Sequence, residues 1–177
     1  DAAEQLPLAR LHTLGLGLYN HEAATQRFPI RSTEEYFDSS GNPHLSWRVH
    51  LLPYVGFTSL YLQFRLDEPW NSANNLPLVE KMPDLFRSAG DLGTSTTTRF
   101  QVISGDGALY YWRRDSGRLV GPKYTDFDDG IEHSILLVES GADKSVTWTR
   151  PDDLEFDLSD PLAALGTVSP DGIKALM

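Results

Sequence analysis

The chain has 177 residues, 15 Lys and Arg against 25 Asp and Glu, a formal net charge of −10, and 40% hydrophobic residues. That length and apolar fraction fit one compact soluble domain and not a disordered tail. The acidic balance argues against a nucleic-acid surface and disfavours anionic membranes, which both call on Lys and Arg, and the absence of cysteine excludes disulfides, thiolate metal sites and a Cys nucleophile.

No apolar run approaches the roughly 20 residues of a membrane span, so neither such a helix nor a signal peptide is expected within this sequence. The first element is predicted as a helix over about residues 2–27, with Leu8, Leu11, Leu14 and Leu18 stacked on one face. Pro7 suits a first-turn position, where its missing N–H has no partner to lose, and Pro29 stops the helix. Gly15 and Gly17 each cost about 1 kcal/mol in a helix interior; either close packing against a sheet or a fraying end explains them.

Asp38 to Pro43 is a strong turn signal. A region of short helices follows over about 45–85, with Thr58 or Ser59 as one cap, Asn75 as another, and Pro77 in a first turn. From about 98 to 177 the chain turns β-rich. Thr98–Ser104, Ala108–Trp112, Ile135–Glu139 and Ser145–Thr149 alternate with Gly- and Asp-containing turns and are expected to pair antiparallel. Helices first and strands later is an α+β order, and no linker or repeat divides residues 1–177, so a single domain is expected.

Five stretches, taken in order, bring a family into view. Leu14 to His21 with Phe28-Pro29, the segment LSWRVHLLPY (residues 45–54), Leu60-Tyr61 with LDEPWNS (residues 66–72), Asp129 to Ile135, and Val146 to Leu154 resemble the prepilin-like proteins of the domain of unknown function 1559, of the H-x9-DG type, known from planctomycetes. The resemblance implies a pilin-like fold: a long N-terminal helix packed on an antiparallel sheet, with short helices between them. It also implies an extracytoplasmic location (periplasm, cell surface or secreted), and no reaction. Three departures stand out. The family's apolar prepilin segment is not in this sequence, so any membrane attachment rests on an upstream segment. The family's closing strand motif is absent, and Ile173 to Met177 stand where a last strand should begin. Where family members often have Cys-Pro, this chain has Phe86-Arg87-Ser88-Ala89.

Candidate sites are few. Five scattered histidines include no HExxH or H-x-H pattern, which argues against zinc; His12 and His21 are expected on the helix flank. Asp126, Asp128 and Asp129 before Gly130 are a candidate Ca²⁺ group, since hard cations collect several carboxylate oxygens; the competing reading is a turn whose Asp caps the next element. Asp152, Asp153, Glu155 and Asp157 read as a solvated loop. Trp47, Trp70, Tyr110, Trp112 and Trp148 are candidate stacking faces for a sugar or a protein, against a competing role in the core for Trp47 and Trp70. Alternation along a strand puts at least one of Tyr110, Tyr111 and Trp112 on an outer face. There is no G-x-S-x-G elbow, and the pairs Glu34/Glu35 and Asp67/Glu68, imaginable as a glycosidase pair, are adjacent residues, which rarely converge on one sugar.

The sequence therefore points to a non-catalytic pilin-like domain, without a cofactor, acting through other proteins or self-assembly. The alternative is an extracytoplasmic module for a small solute or glycan, with Ca²⁺ held by the Asp126 group.

Overall fold

The structure, a computed structural model, describes residues 2–29, 37–39, 42–88, 93–105, 108, 114–115, 118–119, 121–127, 130–167 and 172–177. Helix α1 runs Ala2–Thr25. Leu11, Leu14 and Leu18 are buried in the core as their spacing predicts, whereas Leu8, expected on the same face, is exposed. The helix begins at Ala2, so Pro7 stands inside it and not in its first turn. Its end is built from the helix's own side chains. Gln26 adopts φ +61°, reversing the chain, and the Arg27 carbonyl then accepts hydrogen bonds from the Thr25 hydroxyl and the buried His21 ring.

Both glycines of α1 are close-packing sites. A Cβ on Gly15 would overlap the Leu176 side chain, and one on Gly17 would overlap Val55. The first contact is with a strand and the second with a short helix, so the fraying explanation falls away.

Helix α2, Trp47–Leu51, passes directly into a 3-10 turn, Leu52–Val55. Helix α3 is Thr58–Tyr61, with Phe57 at its N-cap and no side-chain cap, so Thr58 and Ser59 lie within it. Further 3-10 turns run Leu76–Lys81 and Asp84–Phe86. Asn75 precedes the first of these, yet its side chain turns away from the turn's N–H groups and inward. Its Oδ1 accepts from the Arg65 backbone N–H at 2.9 Å, and its Nδ2 donates to the carbonyls of Arg65, Glu68 and Pro69 at 2.8–3.1 Å. It is buried and organises the 65–75 loop.

The second half is built of short strands: β1 Thr97–Thr98, β2 Phe100–Gln101, β3 Ile103–Ser104, β4 Arg114–Asp115, β5 Arg118–Leu119, β6 Leu137–Glu139, β7 Val146–Thr147, β8 Leu154–Glu155 and β9 Lys174–Leu176. β1 pairs with β7 and β4 with β5, while β2, β6 and β9 form a three-stranded antiparallel sheet. Two expectations need correction here. β3 pairs parallel with β8, not antiparallel. The closing strand is present: Lys174 to Leu176 pair with Glu139 to Leu137. Although the sequence lacks the expected motif, Leu176 reaches the Gly15 notch, and that contact ties the helix to the sheet edge. Helix, short turns and sheet share one core, in which Leu11, Leu14, Leu18, Phe28, Trp47, Leu51, Phe86, Phe100, Leu137 and Trp148 are all buried. The architecture is α+β, with α1 laid across β6 and β9. No helix among the described residues is long and apolar enough to cross a membrane.

Candidate functional site

A charged side chain in an apolar run must find a partner or leave the core. Arg48 follows Ser46-Trp47 and precedes Val49, and it finds its partner 105 residues away. Its guanidinium is fully buried and lies 2.8 Å from Asp153 Oδ1. Nε and Nη2 donate to the Phe100 carbonyl at 3.0 and 2.8 Å, and Nη1 donates to Ser46 Oγ at 2.7 Å. The same Asp153 oxygen also accepts from Trp47 Nε1 at 3.0 Å and from the Val102 backbone N–H at 3.1 Å. The Arg48 guanidinium also sits 4.8 Å from the centre of the Trp47 ring.

Burial pushes the Asp153 carboxyl above its usual range, while the charge of Arg48 and the bonds from Trp47 and Val102 pull it back. Burial likewise lowers Arg48 from its usual value, opposed by Asp153. The donors and acceptors of the pair turn onto each other and onto backbone, so the network joins α2, β2 and the approach to β8.

A second tie runs parallel to it. Trp148 is buried against Phe64 and Phe86, with ring centroids at 5.9 and 5.7 Å, and its Nε1 donates to the Val79 carbonyl at 2.8 Å. The Ser46 N–H donates to the Thr149 carbonyl at 2.9 Å. At the surface, the Arg150 guanidinium lies 5.8 Å from the centre of the half-buried Trp70 ring and pairs with Asp152 at 2.6 Å. VTWTRPDDL thus meets LSWRVHLL in the interior and LDEPWNS at the surface.

The sequence-predicted binding residues divide accordingly. Trp47 and Trp148 are core residues that present no stacking face, which corrects their candidacy as a ligand platform. The Trp70 ring is already packed by Arg150. Tyr110 and Trp112 lie outside the described residues, as do Tyr111, Glu34 and Glu35. Of the candidate Ca²⁺ group, Asp126 accepts from the Lys123 backbone N–H at 2.8 Å, closing the turn Tyr124–Asp126; Asp128 and Asp129 lie outside the described residues. Among the described residues, no three acidic or imidazole side chains gather as a metal-holding group.

In the acidic run, Glu155 and Asp157 are exposed as expected, but Asp153 is the buried counter-ion of Arg48 and not part of a solvated loop. The signal that would have found it was the arginine between Trp47 and Val49: a cation there calls for a buried anion elsewhere in the chain.

These contacts define an α+β domain in which the distinctive side chains hold the fold together. The chain belongs to a known family: the family model described as "Protein of unknown function (DUF1559)" matches residues 9–119. No curated protein and no solved structure matches the chain. The matched stretch contains Arg48, Trp70 and Val79, while their partners Asp153, Arg150 and Trp148 follow it in the sequence.

Proposed function

We propose that this is an extracytoplasmic pilin-like or pseudopilin-like domain that works by contact with other protein chains and performs no reaction of its own. The observation that carries the reading is the division of α1. Leu11, Leu14 and Leu18 are buried, while Leu6, Leu8 and Leu16 of the same helix are 48%, 52% and 53% exposed. The helix has only three charged residues, Glu4, Arg10 and Glu22, so most of the chain's acidity lies elsewhere. A helix with apolar residues on both its docked and its outward faces is suited to a second apolar surface. In a pilin-like arrangement that surface is the same helix of a neighbouring copy.

The chain has no cysteine, which makes single-cysteine variants clean reporters. Leu8→Cys and Leu16→Cys are expected to form disulfide-linked dimers on mild oxidation, with a yield that rises with protein concentration. Ser59→Cys, exposed on α3, serves as the reference. Equal yields at all three positions would overturn the helix-mediated reading.

A further inference from the structure

Leu62 is the more exposed at 75%, but Leu158 and Leu162, at 72% and 70%, lie together within five residues of one loop. That loop is held in place. Asp157 Oδ1 accepts from the N–H and hydroxyl of Ser159 at 2.8 and 2.7 Å, and Asp160 Oδ1 accepts from the Ala163 N–H at 3.3 Å. Successive turns close through Asp160 N–H to the Asp157 carbonyl, Ala163 N–H to the Asp160 carbonyl and Leu165 N–H to the Leu162 carbonyl. Both ends are anchored. The Phe156 N–H donates to the Ser104 carbonyl at 2.7 Å, and the Gly141 N–H donates to the Leu165 carbonyl at 2.8 Å. The Thr167 N–H donates to Asp143 Oδ1 at 2.8 Å. Gly166, at φ +72°, lets the chain pass against the Asp143 carboxylate, where a Cβ would collide.

Within the loop's own sequence the charge has one sign, and Lys144 of the preceding turn approaches it at Gly166. Residues 151–167 contain no Lys or Arg. Of their five acids, Asp153 is spent on Arg48 and Asp152 on Arg150. Glu155, Asp157 and Asp160 pair with no cation among the described residues.

We infer that residues 155–162 are a docking epitope for a basic protein, with Leu158 and Leu162 entering an apolar groove whose rim supplies Lys or Arg to Glu155, Asp157 and Asp160. A preordered loop loses little entropy on binding. Charge complementarity selects the partner, and a second copy of a chain carrying −10 is the wrong sign. The epitope shares no residue with the outward face of α1, so separate variants test the two contacts.

The probe is a random dodecapeptide phage library panned on the folded chain. Enriched peptides are expected to combine apolar residues with Lys or Arg. Their affinity should fall about tenfold or more, roughly 1.4 kcal/mol, for the Leu158→Ser/Leu162→Ser double variant. It should also fall for Asp157→Asn/Asp160→Asn and with rising salt. The leucine variant should leave the melting temperature unchanged, since both leucines are exposed, and the Asp→Asn variant should lower it only slightly, since Asn keeps the acceptor oxygens used in the turns. No enrichment, or enriched peptides that bind both variants as tightly as the parent chain, would overturn the proposal. So would self-association that disappears in Leu158→Ser/Leu162→Ser, which would assign the loop to a second copy.

Discussion

Asp153 Oδ1 alone receives a guanidinium N–H, an indole N–H and a backbone N–H. Removing that carboxylate strands Arg48 in the interior with its charge uncompensated, the costly way to break a buried pair. Asp153→Ala is therefore expected to lower unfolding stability by about 3 kcal/mol or more, read from urea unfolding. Replacing both members, Arg48→Met with Asp153→Ala, should cost less than the sum of the two single changes, because no orphaned charge remains. Additive losses in that cycle would show that the two side chains stabilise the fold independently. Trp47 belongs to the same unit. Its indole N–H is committed to Asp153, so Trp47→Phe is a milder probe that removes one hydrogen bond and keeps most of the apolar ring.

Among the elements, α1 was the most legible in the sequence and the strands the least. Leucines three and four residues apart announce a helix face wherever the core lies, whereas Gly15 and Gly17 left close packing and a fraying end open until the structure decided between them. What they approach depends on tertiary placement: Leu176 of the last strand in one case and Val55 of a 3-10 turn in the other. The strands span two or three residues each, too short for a period-2 pattern to assert itself, and the parallel β3–β8 pair follows from the Asp153 tie that draws residues 152–155 alongside Val102. β9 was missed because Lys174-Ala175-Leu176 has no β-branched residue, and its place is set by the edge of β6 and the Gly15 notch. Asn75 was expected as a helix cap, and its role as a plug for the loop beginning ten residues earlier was not legible. The two helix glycines yield a graded prediction. Leu176 meets Gly15 with the far end of a flexible side chain, whereas Val55 is β-branched and stiff. Gly17→Ala is thus expected to destabilise by about 1–3 kcal/mol through overpacking. Gly15→Ala should be close to neutral, its clash offset by about 1 kcal/mol of helix propensity. Thermal unfolding of both variants, with Val55→Ala added to rescue Gly17→Ala, tests the order, and a larger loss at Gly15 would mean that Leu176 yields less readily than Val55.

On the scale of the whole molecule, acidity couples the surface to the fold. Three carboxylates, those of Asp143 and Asp157 exposed and that of Glu68 half-buried, are held below their ordinary values by hydrogen bonds in the folded chain. Asn74 and Ser72 lower Glu68, the Thr167 backbone N–H lowers Asp143, and Ser159 lowers Asp157. A depressed folded pKa means that the unfolded chain binds protons first as pH falls. The stability these groups contribute is complete above the ordinary values of 4.5 for Glu68 and 3.8 for the two aspartates, and it is lost as pH drops through the lower folded values. Asp153 works in the other direction. Its raised folded pKa favours the folded state below 3.8, and that share is lost as pH rises through the folded value. The three depressed groups each make the melting temperature decline below about pH 4, and Asp153 opposes that decline. The triple variant Glu68→Gln/Asp143→Asn/Asp157→Asn keeps the acceptor oxygens and removes the titration, so its melting temperature should decline less steeply over the same range. Asp153→Asn should steepen the decline by removing the opposing group. Parallel melting curves for the parent and the triple variant between pH 5 and pH 3 would mean that the acid limb is set elsewhere in the chain.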